Sequence, residues 1–551
     1  MTVVEAQGLA APTEHAARTP VAHRARALVV AGLVGMWFLL FGVAWAMSDP
    51  VPAGPDEAMH MVHALAVGQG EITGTPGASP NQPTGIPDII AFWNQTTRYF
   101  SVDARRAPDG VYSCVARSMD QPANCTDGPK CQRYYPPNPV ACTDPVGLAP
   151  GNRILGTYTG SYEPTLYLVP GLVARAGTFD VGAMRLARLG EVLVATVLVV
   201  MAALLLWDRQ RRGLSLLGLL VAVTPMAMYL NTVVNPNGGE IVLTLCFFAA
   251  VLRVLREPAP ASRWVWTALG VSGSVLAVSR TLTWVWIVIA LATAAALGGR
   301  RVIQLVRHSG PRAWVALGAV VVGIAADQVW WQVIVGLPRS SHSLWSAWSQ
   351  IGTSILTLPE WFHEEIGLLG WVELPVYPVV EAVWWITVVG LLAAALVLGT
   401  RRQRIVLSLL ITGNIAFTVV IGAVLQVEAG LPMQARYVIP FNVIVVLLAG
   451  DIVRANRARI GRAASAVAVA VAATVTVGQA LTLWQNSQRF AVGVDGRFFF
   501  PTRAVWVPPF GWAPWLLVAG IGCASLVTGM LVASSAGHRP AAGPVIRSKP
   551  T

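Results

Sequence analysis

The stretch Gly54–His63, with the sequence GPDEAMHMVH, is the part of the chain around which the remainder is interpreted. It lies directly after the first long apolar segment and at the head of a long polar loop. Two adjacent carboxylates and two histidines therefore stand where an apolar helix gives way to a water-facing surface. Titratable groups this close together perturb one another's protonation, as the groups of functional sites commonly do.

The composition around this stretch is that of a membrane protein. Of the 551 residues, 55% are hydrophobic and only 12% are charged, and the mean hydropathy is +0.59. Apolar runs of about 20 residues, each long enough to cross a bilayer as a helix, recur along most of the chain. A single strand would leave its backbone groups unpaired in lipid. We therefore predict an all-α polytopic integral membrane protein.

The net charge of +12 comes from arginines in short loops between the apolar runs. Such loops are typical of the cytosolic side of a membrane protein. No basic stripe with interleaved aromatic residues occurs, so nucleic-acid binding is not predicted. With the arginine loops inside, both termini are cytosolic and about 12 transmembrane helices are predicted. They are residues 27–47, 181–207, 213–233, 237–256, 263–279, 281–299, 313–336, 378–399, 405–426, 436–451, 463–484 and 513–533.

A short apolar stretch after the long polar loop poses the main question about topology. A crossing there would place the Asp208–Arg212 loop outside, against the charge bias. We therefore predict an interfacial or re-entrant helix. The full division is a cytosolic tail at 1–26, the first span at 27–47, a long extracytoplasmic loop at 48–161, the interfacial helix at 162–180, a transmembrane bundle at 181–535 with a second outer loop at 337–377, and a cytosolic tail at 536–551.

Four of the six cysteines lie in one short polar stretch of the first loop. In a loop that faces outward, clustered cysteines indicate two disulfides, whose pairing the sequence leaves open. A zinc site is the alternative, but the stretch has no C-x-x-C pair. The four residues are Cys114, Cys125, Cys131 and Cys142.

Asp56 and Glu57 have a structural and a chemical interpretation. Gly54-Pro55 is a good helix start, and carboxylates in a first turn complement the helix dipole. If the helix includes Asp56, however, it shares a face with His60 and His63 at spacings i, i+4 and i+7. That cluster favours acid–base chemistry. The same three side chains could instead bind a divalent metal.

Other polar residues stand at the predicted outer helix ends. Arg280 and Arg436 are candidates to hold a lipid phosphate. Lone arginines at such positions, however, often only extend their charged groups to the membrane–water interface. Asn235 and Asn237, with Asn231, either cap a helix or contact a ligand. Among the acidic residues within predicted spans, two are singled out and are expected to face the bundle interior. They are Glu191 and Asp327.

Together these features resemble the GT-C fold of polyprenyl-phosphate-dependent glycosyltransferases. More closely, the chain is similar to an actinobacterial multi-pass family of unknown function within that superfamily, over roughly residues 27–450. The matching motifs are Gly54-Pro-Asp56-Glu57-Ala-Met-His60, Glu163-Pro164-x-x-Tyr167, Asn235-Pro-Asn237, Ser279-Arg280 and Gln434-Ala435-Arg436-Tyr437-x-x-Pro440.

The resemblance implies an inverting transferase in a bacterial plasma membrane, with its site on the extracytoplasmic face. Asp56 would be the general base, oriented by Glu57 or His60. The substrates implied are a polyprenyl-phosphate sugar donor in the membrane lipid and an envelope glycan or glycolipid acceptor, with no certain cofactor. The residues implied to bind substrate or phosphate are Arg436, Arg280, Glu163, Asn235, Asn237, Gln434 and Tyr437.

Two other classes of function remain open at this point. A transporter or flippase of lipid-linked envelope precursors would use broken helices and ionisable groups near the middle of the membrane, for which Glu191 and Asp327 are the candidates. A non-catalytic scaffold for envelope assembly would require no chemistry from Asp56.

Overall fold

A computed structural model describes most of the chain. The described residues are 18–77, 96–103, 105–106, 151–178, 180–208, 212–257, 261–336, 344–430 and 433–535.

Helices dominate the described residues. In chain order the α-helices are α1 Arg18–Ser48, α2 Glu57–Gln69, α3 Leu168–Ala174, α4 Asp180–Leu206, α5 Leu217–Ala222, α6 Pro225–Leu230, α7 Pro236–Arg256, α8 Arg263–Ala277, α9 Thr283–Gly298, α10 Arg300–Ser309, α11 Pro311–Val329, α12 Leu344–Trp348, α13 Ile351–Leu356, α14 Leu358–Gly367, α15 Pro378–Leu398, α16 Arg401–Ala429, α17 Ile439–Ala455, α18 Arg457–Ile460, α19 Ala463–Val492 and α20 Trp512–Ser534. Short 3-10 helices occupy Tyr158–Ser161, Pro164–Tyr167, Arg212–Leu216 and Ala435–Tyr437, and α11 continues into a π-helical turn, Trp330–Val335.

Two small antiparallel sheets accompany the helices, so the fold is not purely α. One has the order β1 (Thr75–Pro76), β2 (Arg98–Asp103), β3 (Asn152–Thr157), with Arg98 paired to Thr157. The other is a hairpin of β4 (Leu368–Leu369) and β5 (Leu374–Pro375). Both sheets lie in segments that were predicted to be loops, and neither is part of a span.

The described helices support a polytopic membrane protein, but the predicted 12 spans are not confirmed. Eight helices are long and apolar enough to cross a bilayer, and nine spans result if α9 and α10, which meet at 106°, count as one. The eight are Arg24–Ser48, Val181–Leu206, Pro236–Arg256, Pro311–Val335, Pro378–Leu398, Arg401–Glu428, Ala463–Val492 and Trp512–Ser534.

The missing spans have local causes. The segment predicted as one helix at 213–233 is broken, because Pro225 lacks an N–H and disfavours helical backbone in the residue before it. Thr224 then caps the next helix, its Oγ1 accepting from the Ala227 N–H at 3.1 Å. The predicted helices at 263–279 and 436–451 correspond to α8 and α17, which have only 15 and 17 residues.

The segment after the long first loop is too short to cross a membrane as a helix. Its apolar part is a single 3-10 turn followed by α3, which has seven residues and spans about 10 Å at 1.5 Å per residue. A helix there that does not cross was predicted. The location of this helix at the membrane interface stays a prediction.

Helix α7 forms the centre of the bundle. It is the most buried of the eight apolar helices, with 89% of its apolar window inside the protein. Helices α4, α8, α9 and α17 pack around it, and α1 packs between α4 and α20. The first turn of α7 is therefore fixed from several sides, and it carries residues of the candidate site described below.

Helix α2 is held in place by an unusually close approach of two backbones. A Cβ atom on Gly171 would lie 2.0 Å from the carbonyl oxygen of Ala64, and one on Gly68 would lie 2.4 Å from the Gly171 backbone. Only glycine fits at both positions. The contact presses α2 against α3 and thereby fixes the orientation of the helix that begins directly after Asp56.

A buried ion pair ties four parts of the chain together. Arg188 and Glu57 are both 0% exposed, and a nitrogen and an oxygen of the pair lie 2.6 Å apart. Arg188 also donates to three carbonyl oxygens, that of Ala46 in the last turn of α1 and those of Asp49 and Pro50 directly after it. Glu57 in turn accepts from the Gly54 and Val234 N–H groups. Each charge is thus paired and hydrogen-bonded, as burial requires.

We expect that Glu57→Ala will lower the free energy of unfolding by about 3–5 kcal/mol, because it leaves the Arg188 charge buried without a partner. Denaturant unfolding in mixed micelles measures the change. Asp495→Ala, at an exposed loop position, is the control and should cause no measurable loss. The double variant Glu57→Leu/Arg188→Met should be more stable than Glu57→Ala; a double variant less stable than the single one would contradict the assignment.

Candidate active site

Asp56 lies between α1 and α2 and is not part of a helix face. Helix α2 begins at Glu57, and Asp56 precedes it with φ +57°, in the left-handed region that non-glycine residues seldom adopt. Its side chain makes no capping hydrogen bond to α2. Only Glu57 of the two carboxylates therefore lies in the first turn, and the premise that Asp56 shares a helix face with His60 and His63 is wrong.

The Asp56 carboxylate instead bridges two distant parts of the chain. Its Oδ2 accepts from Nη2 of Arg436 at 2.9 Å, and its Oδ1 accepts from the Tyr158 hydroxyl at 2.5 Å. Strained backbone at such a residue persists only when surrounding contacts enforce it. In this site, the hydrogen bonds from Arg436 and Tyr158 hold Asp56 in this backbone conformation.

Arg436 lies in the 3-10 turn before α17 and is only 7% exposed. Burial alone would lower its pKa, but interactions with Tyr437 and Asp56 raise the pKa above its ordinary value, so the side chain remains a cation. Its Nε is buried and has no hydrogen-bond partner among the described residues. A buried unpaired donor is costly, and a ligand oxygen would satisfy it.

Arg280 lies in the turn between α8 and α9, and it forms a second, partly buried cation beside the first, with 17% of its side chain exposed. Its guanidinium carbon is 5.5 Å from the ring centres of both Tyr162 and Tyr437, an arrangement that favours a cation. It donates to the Asn237 side chain and, at 3.1 Å, to Glu240. Tyr437 thus contacts both arginines, since the Arg436 guanidinium carbon is also 5.5 Å from its ring centre.

Asn235 has a structural role in this arrangement. Its Oδ1 accepts from the backbone N–H of Asn237 at 3.0 Å and so caps α7. Its Nδ2 donates to the Pro55 carbonyl oxygen at 2.9 Å. The helix-cap interpretation is therefore correct for Asn235, which also ties the start of α7 to the residue before Asp56. The Asn237 side chain accepts a hydrogen bond from Arg280, as described above. The Asn231 side chain donates to the Ala227 carbonyl oxygen.

The two histidines of the stretch are buried in an aromatic environment. His60 Nδ1 lies 2.8 Å from the Tyr167 hydroxyl, and burial, with Arg280 and Arg436 adding to it, lowers the pKa of His60 well below its usual value. Burial likewise lowers the pKa of His63 to about 3, and its ring lies 4.2 Å from that of Tyr167 and 5.3 Å from that of Phe100. Both imidazoles are therefore neutral at physiological pH.

The described residues do not assemble a metal site. No group of three or more His, Cys, Asp or Glu side chains in the described part of the chain is arranged to hold a metal ion. Asp56 is bonded to Arg436 and Tyr158, and His60 to Tyr167, whereas His63 makes only ring contacts among the described residues. These three side chains therefore do not form the predicted metal-binding group. Glu57, predicted to orient the base, is instead committed to Arg188.

Glu163 belongs to a different cluster from the two arginines. Its Oε1 accepts from the indole N–H of Trp331. Burial and the neighbouring Asp327 carboxyl raise the pKa of Glu163 well above its usual range. It therefore locks the 3-10 turn at Pro164 against the end of α11 and contributes no charge to an anion site. Asp327 and Glu191 are both buried, at 0% and 6% exposure.

A cavity of about 360 Å³ adjoins the Arg436 turn. Trp361, Trp371 and Glu364 line it on one side, and Gln434 lines it on the side of the arginine. A narrower space beside it is lined by Pro55 and Arg436 and shares Glu364 and Gln434 with it. The site therefore combines a carboxylate, a buried cation and a partly buried cation, and its Arg436 adjoins a polar and aromatic cavity.

Several residues of this site were not predicted from the sequence. Tyr158 and Tyr162 lie in the segment before Pro164, where only Glu163 was singled out. Glu240 follows Asn237 by three residues in an otherwise apolar helix, which was a usable signal for a buried partner of a cation. Glu364 accepts from the Ala435 N–H at 2.6 Å, and nothing in the sequence links these two residues.

The predicted disulfides lie elsewhere. Cys114, Cys125, Cys131 and Cys142 are outside the described residues, so their pairing stays a prediction. The two described cysteines, Cys246 and Cys523, are free thiols.

Comparisons with known proteins give one match. The sequence model of a family described as predicted membrane protein (DUF2142) matches residues 39–445, which include every residue of the candidate site. No curated protein and no solved structure matches the chain. Since the match covers well over half of the sequence, the chain belongs to the DUF2142 family of predicted membrane proteins.

Proposed function

We propose that this protein is a membrane glycosyltransferase that moves a sugar from a polyprenyl-phosphate donor to a cell-envelope acceptor, with Asp56 as the general base. One observation carries the proposal: the Asp56 carboxylate is paired with the buried Arg436, which lies beside the partly buried Arg280 and lines a narrow space next to a cavity. The resemblance to GT-C transferases supplies the reaction class, and the arrangement of charges supplies the roles below.

The first role is phosphate binding by Arg436. Guanidinium groups bind phosphate oxygens with charge-assisted hydrogen bonds, and Arg436 still has an unpaired buried Nε. A sugar phosphodiester carries a single negative charge, which would replace the charge of Asp56 at this arginine. Arg280, already paired with Glu240, adds positive potential without needing to move.

The second role follows from the first, because a phosphate on Arg436 releases Asp56. The free carboxylate can then accept the proton of an acceptor hydroxyl, while Tyr158 still holds its other oxygen. The hydroxyl oxygen forms a bond to the anomeric carbon, and the bond from that carbon to the phosphate oxygen breaks. The proton ends on Asp56 and the charge on the polyprenyl phosphate, where Arg436 stabilises it. The configuration of the sugar inverts.

Glu57 and His60 are positioning residues in this scheme. Glu57 fixes the first turn of α2 through Arg188, immediately beside Asp56. His60 is neutral and bonded to Tyr167, which packs α2 against the 3-10 turn at Pro164. The extracytoplasmic location of the site and the cytosolic termini are part of the proposal and rest on the arginine bias of the loops.

A transporter or flippase of lipid-linked envelope precursors is the second candidate. The break between α5 and α6, in a segment of span length, is the observation that favours it, because discontinuous helices are common at transport sites. The two functions share a ligand and differ in the need for a base. Loss of Asp56 stops a transferase but spares transport of the same lipid.

We expect lipid binding to depend on Arg436 and not on Asp56. Native mass spectrometry of the purified protein should detect a polyprenyl phosphate or its sugar conjugate in the wild type and in Asp56→Asn, and none in Arg436→Ala. Arg401→Ala, at an exposed arginine, is the matched control and should retain the lipid. Equal retention by Arg436→Ala and the wild type would remove the phosphate site from the proposal.

We expect transfer itself to depend on Asp56. In membrane vesicles supplied with a labelled polyprenyl-phosphate sugar, Asp56→Asn should slow the appearance of label in envelope material by about 10²–10⁴-fold, the usual contribution of a general base. Tyr158→Phe, which keeps the Asp56 carboxylate, should slow the transfer less than Asp56→Asn does. Undiminished transfer by Asp56→Asn would rule out the general-base role, and undiminished lipid translocation with no transfer in any preparation would favour the transporter.

A further inference from the structure

The cavity beside Arg436 has the size and the lining of a ligand site. Its volume of about 360 Å³ lies within the range of small-molecule pockets. It is formed by α13, α14 and the β4–β5 turn on one side and by α16 and the segment before Arg436 on the other. It shares Glu364, Val372 and Gln434 with the narrow space that reaches Pro55 and Arg436. A ligand phosphate on Arg436 would therefore carry its attached group into this cavity.

The cavity lining suits a hydroxyl-rich ring. Trp361 and Trp371 offer aromatic faces, and side-chain hydroxyl and amide groups are distributed among them. The hydroxyls belong to Thr353, Ser354 and Thr357. Ligand sites generally combine aromatic walls with a few polar groups that fix orientation, and a sugar ring needs both.

Two residues that line these spaces carry unpaired buried atoms. The Oε1 atom of Gln434 and the Nε atom of Arg436 are both buried without a hydrogen-bond partner among the described residues. Unpaired buried polar atoms in native proteins call for an explanation. A single ligand would account for both atoms if its hydroxyl or amine donated to the Gln434 Oε1 and its phosphate oxygen accepted from the Arg436 Nε–H.

The charge of the cavity restricts that ligand. Glu360 and Glu364 line it, and of the described lining residues none is Lys, Arg or His. The positive charge beside the cavity is that of Arg436, which lines the narrower space. A ring that carries a carboxylate would face two like charges with no cation to offset them, whereas a neutral or amino sugar would not.

Backbone strain marks the wall between the two spaces. Val372, in the β4–β5 turn, has φ +65° and lines both of them. A β-branched residue at positive φ is an outlier, of the kind that clusters at ligand sites. The turn is thus held in a specific shape at the point where the phosphate end and the ring end of a ligand would meet.

We propose that this cavity holds the glycosyl group of the lipid-phosphate donor and selects an uncharged or amino sugar over a uronic acid. The inference rests on the proposed function for its phosphate anchor and adds the class of sugar. Trp371 would be a binding residue for the ring, and Glu360 and Glu364 the determinants of charge selectivity.

The test uses four synthetic probes and the full-length protein in nanodiscs: farnesyl phosphate, and the same lipid phosphate carrying galactose, galactosamine or galacturonic acid. Dissociation constants are measured by titration. We expect the galactosyl and galactosaminyl lipids to bind about tenfold more tightly than farnesyl phosphate, and the galacturonosyl lipid to lose about tenfold relative to the galactosyl lipid.

Variants assign these differences to the cavity. Trp371→Ala should abolish the gain from galactose and leave farnesyl phosphate binding unchanged, whereas Trp314→Ala, at an exposed tryptophan of α11, should change neither. Glu360→Gln should strengthen binding of the galacturonosyl lipid severalfold. It replaces an exposed side chain and so spares the fold.

Failure of this inference is distinguishable from failure of the proposed function. If farnesyl phosphate binds through Arg436 but galactose adds nothing, the cavity does not hold the donor sugar, although the phosphate site stands. Equal binding of the galacturonosyl and galactosyl lipids would overturn the charge selectivity. If no farnesyl lipid binds at all, the proposed function itself falls.

Discussion

The buried ion pair of Arg188 and Glu57 is the interaction on which the site depends. Water cannot solvate either charge, so each must be satisfied by the protein, and the groups that do this come from α1, α2, α4 and the turn before α7. Four segments are thereby fixed relative to one another. Asp56 is the neighbour of Glu57 in sequence, so the position of its backbone depends on where Glu57 is held.

Charged side chains and aromatic rings alternate in a series of contacts next to this ion pair. Asp56, Arg436, Tyr437, Arg280 and Tyr162 contact one another in that order, and Glu240 closes the series behind Arg280. The two cations are offset by two carboxylates, so the resting site is close to neutral. The two carboxylates differ in placement, because Glu240 is a buried residue of α7, whereas Asp56 lies in the turn before α2.

Sequence reasoning located most helices within a few residues but overestimated the spans. Hydrophobic runs predict where helices lie, and α7, α15 and α20 match their predicted ranges closely. They do not predict a break such as the one at Pro225, where local backbone chemistry overrides hydropathy. Nor do they predict that α8 and α17 stop short.

The site was predictable only in part, for a related reason. Residue types at helix ends identified Asp56, Arg280, Asn237 and Arg436, which the fold does bring together. The pairing of Asp56 with Arg436 joins residues 380 positions apart, which no local spacing encodes. The helical periodicity that linked Asp56 to His60 failed because it assumed that the helix begins one residue earlier than it does. Helix boundaries are the least certain part of any such reasoning.

The double role of Asn235 has a mechanical consequence. One amide caps α7 and holds the carbonyl of Pro55, while the next polar residue of the same turn, Asn237, holds Arg280. The first turn of α7 therefore positions Arg280 through Asn237 and the peptide unit adjoining Asp56 through Asn235. The separation between the arginine and the carboxylate is thus set by the start of one helix, and a substitution that shifts this helix start would displace both groups together.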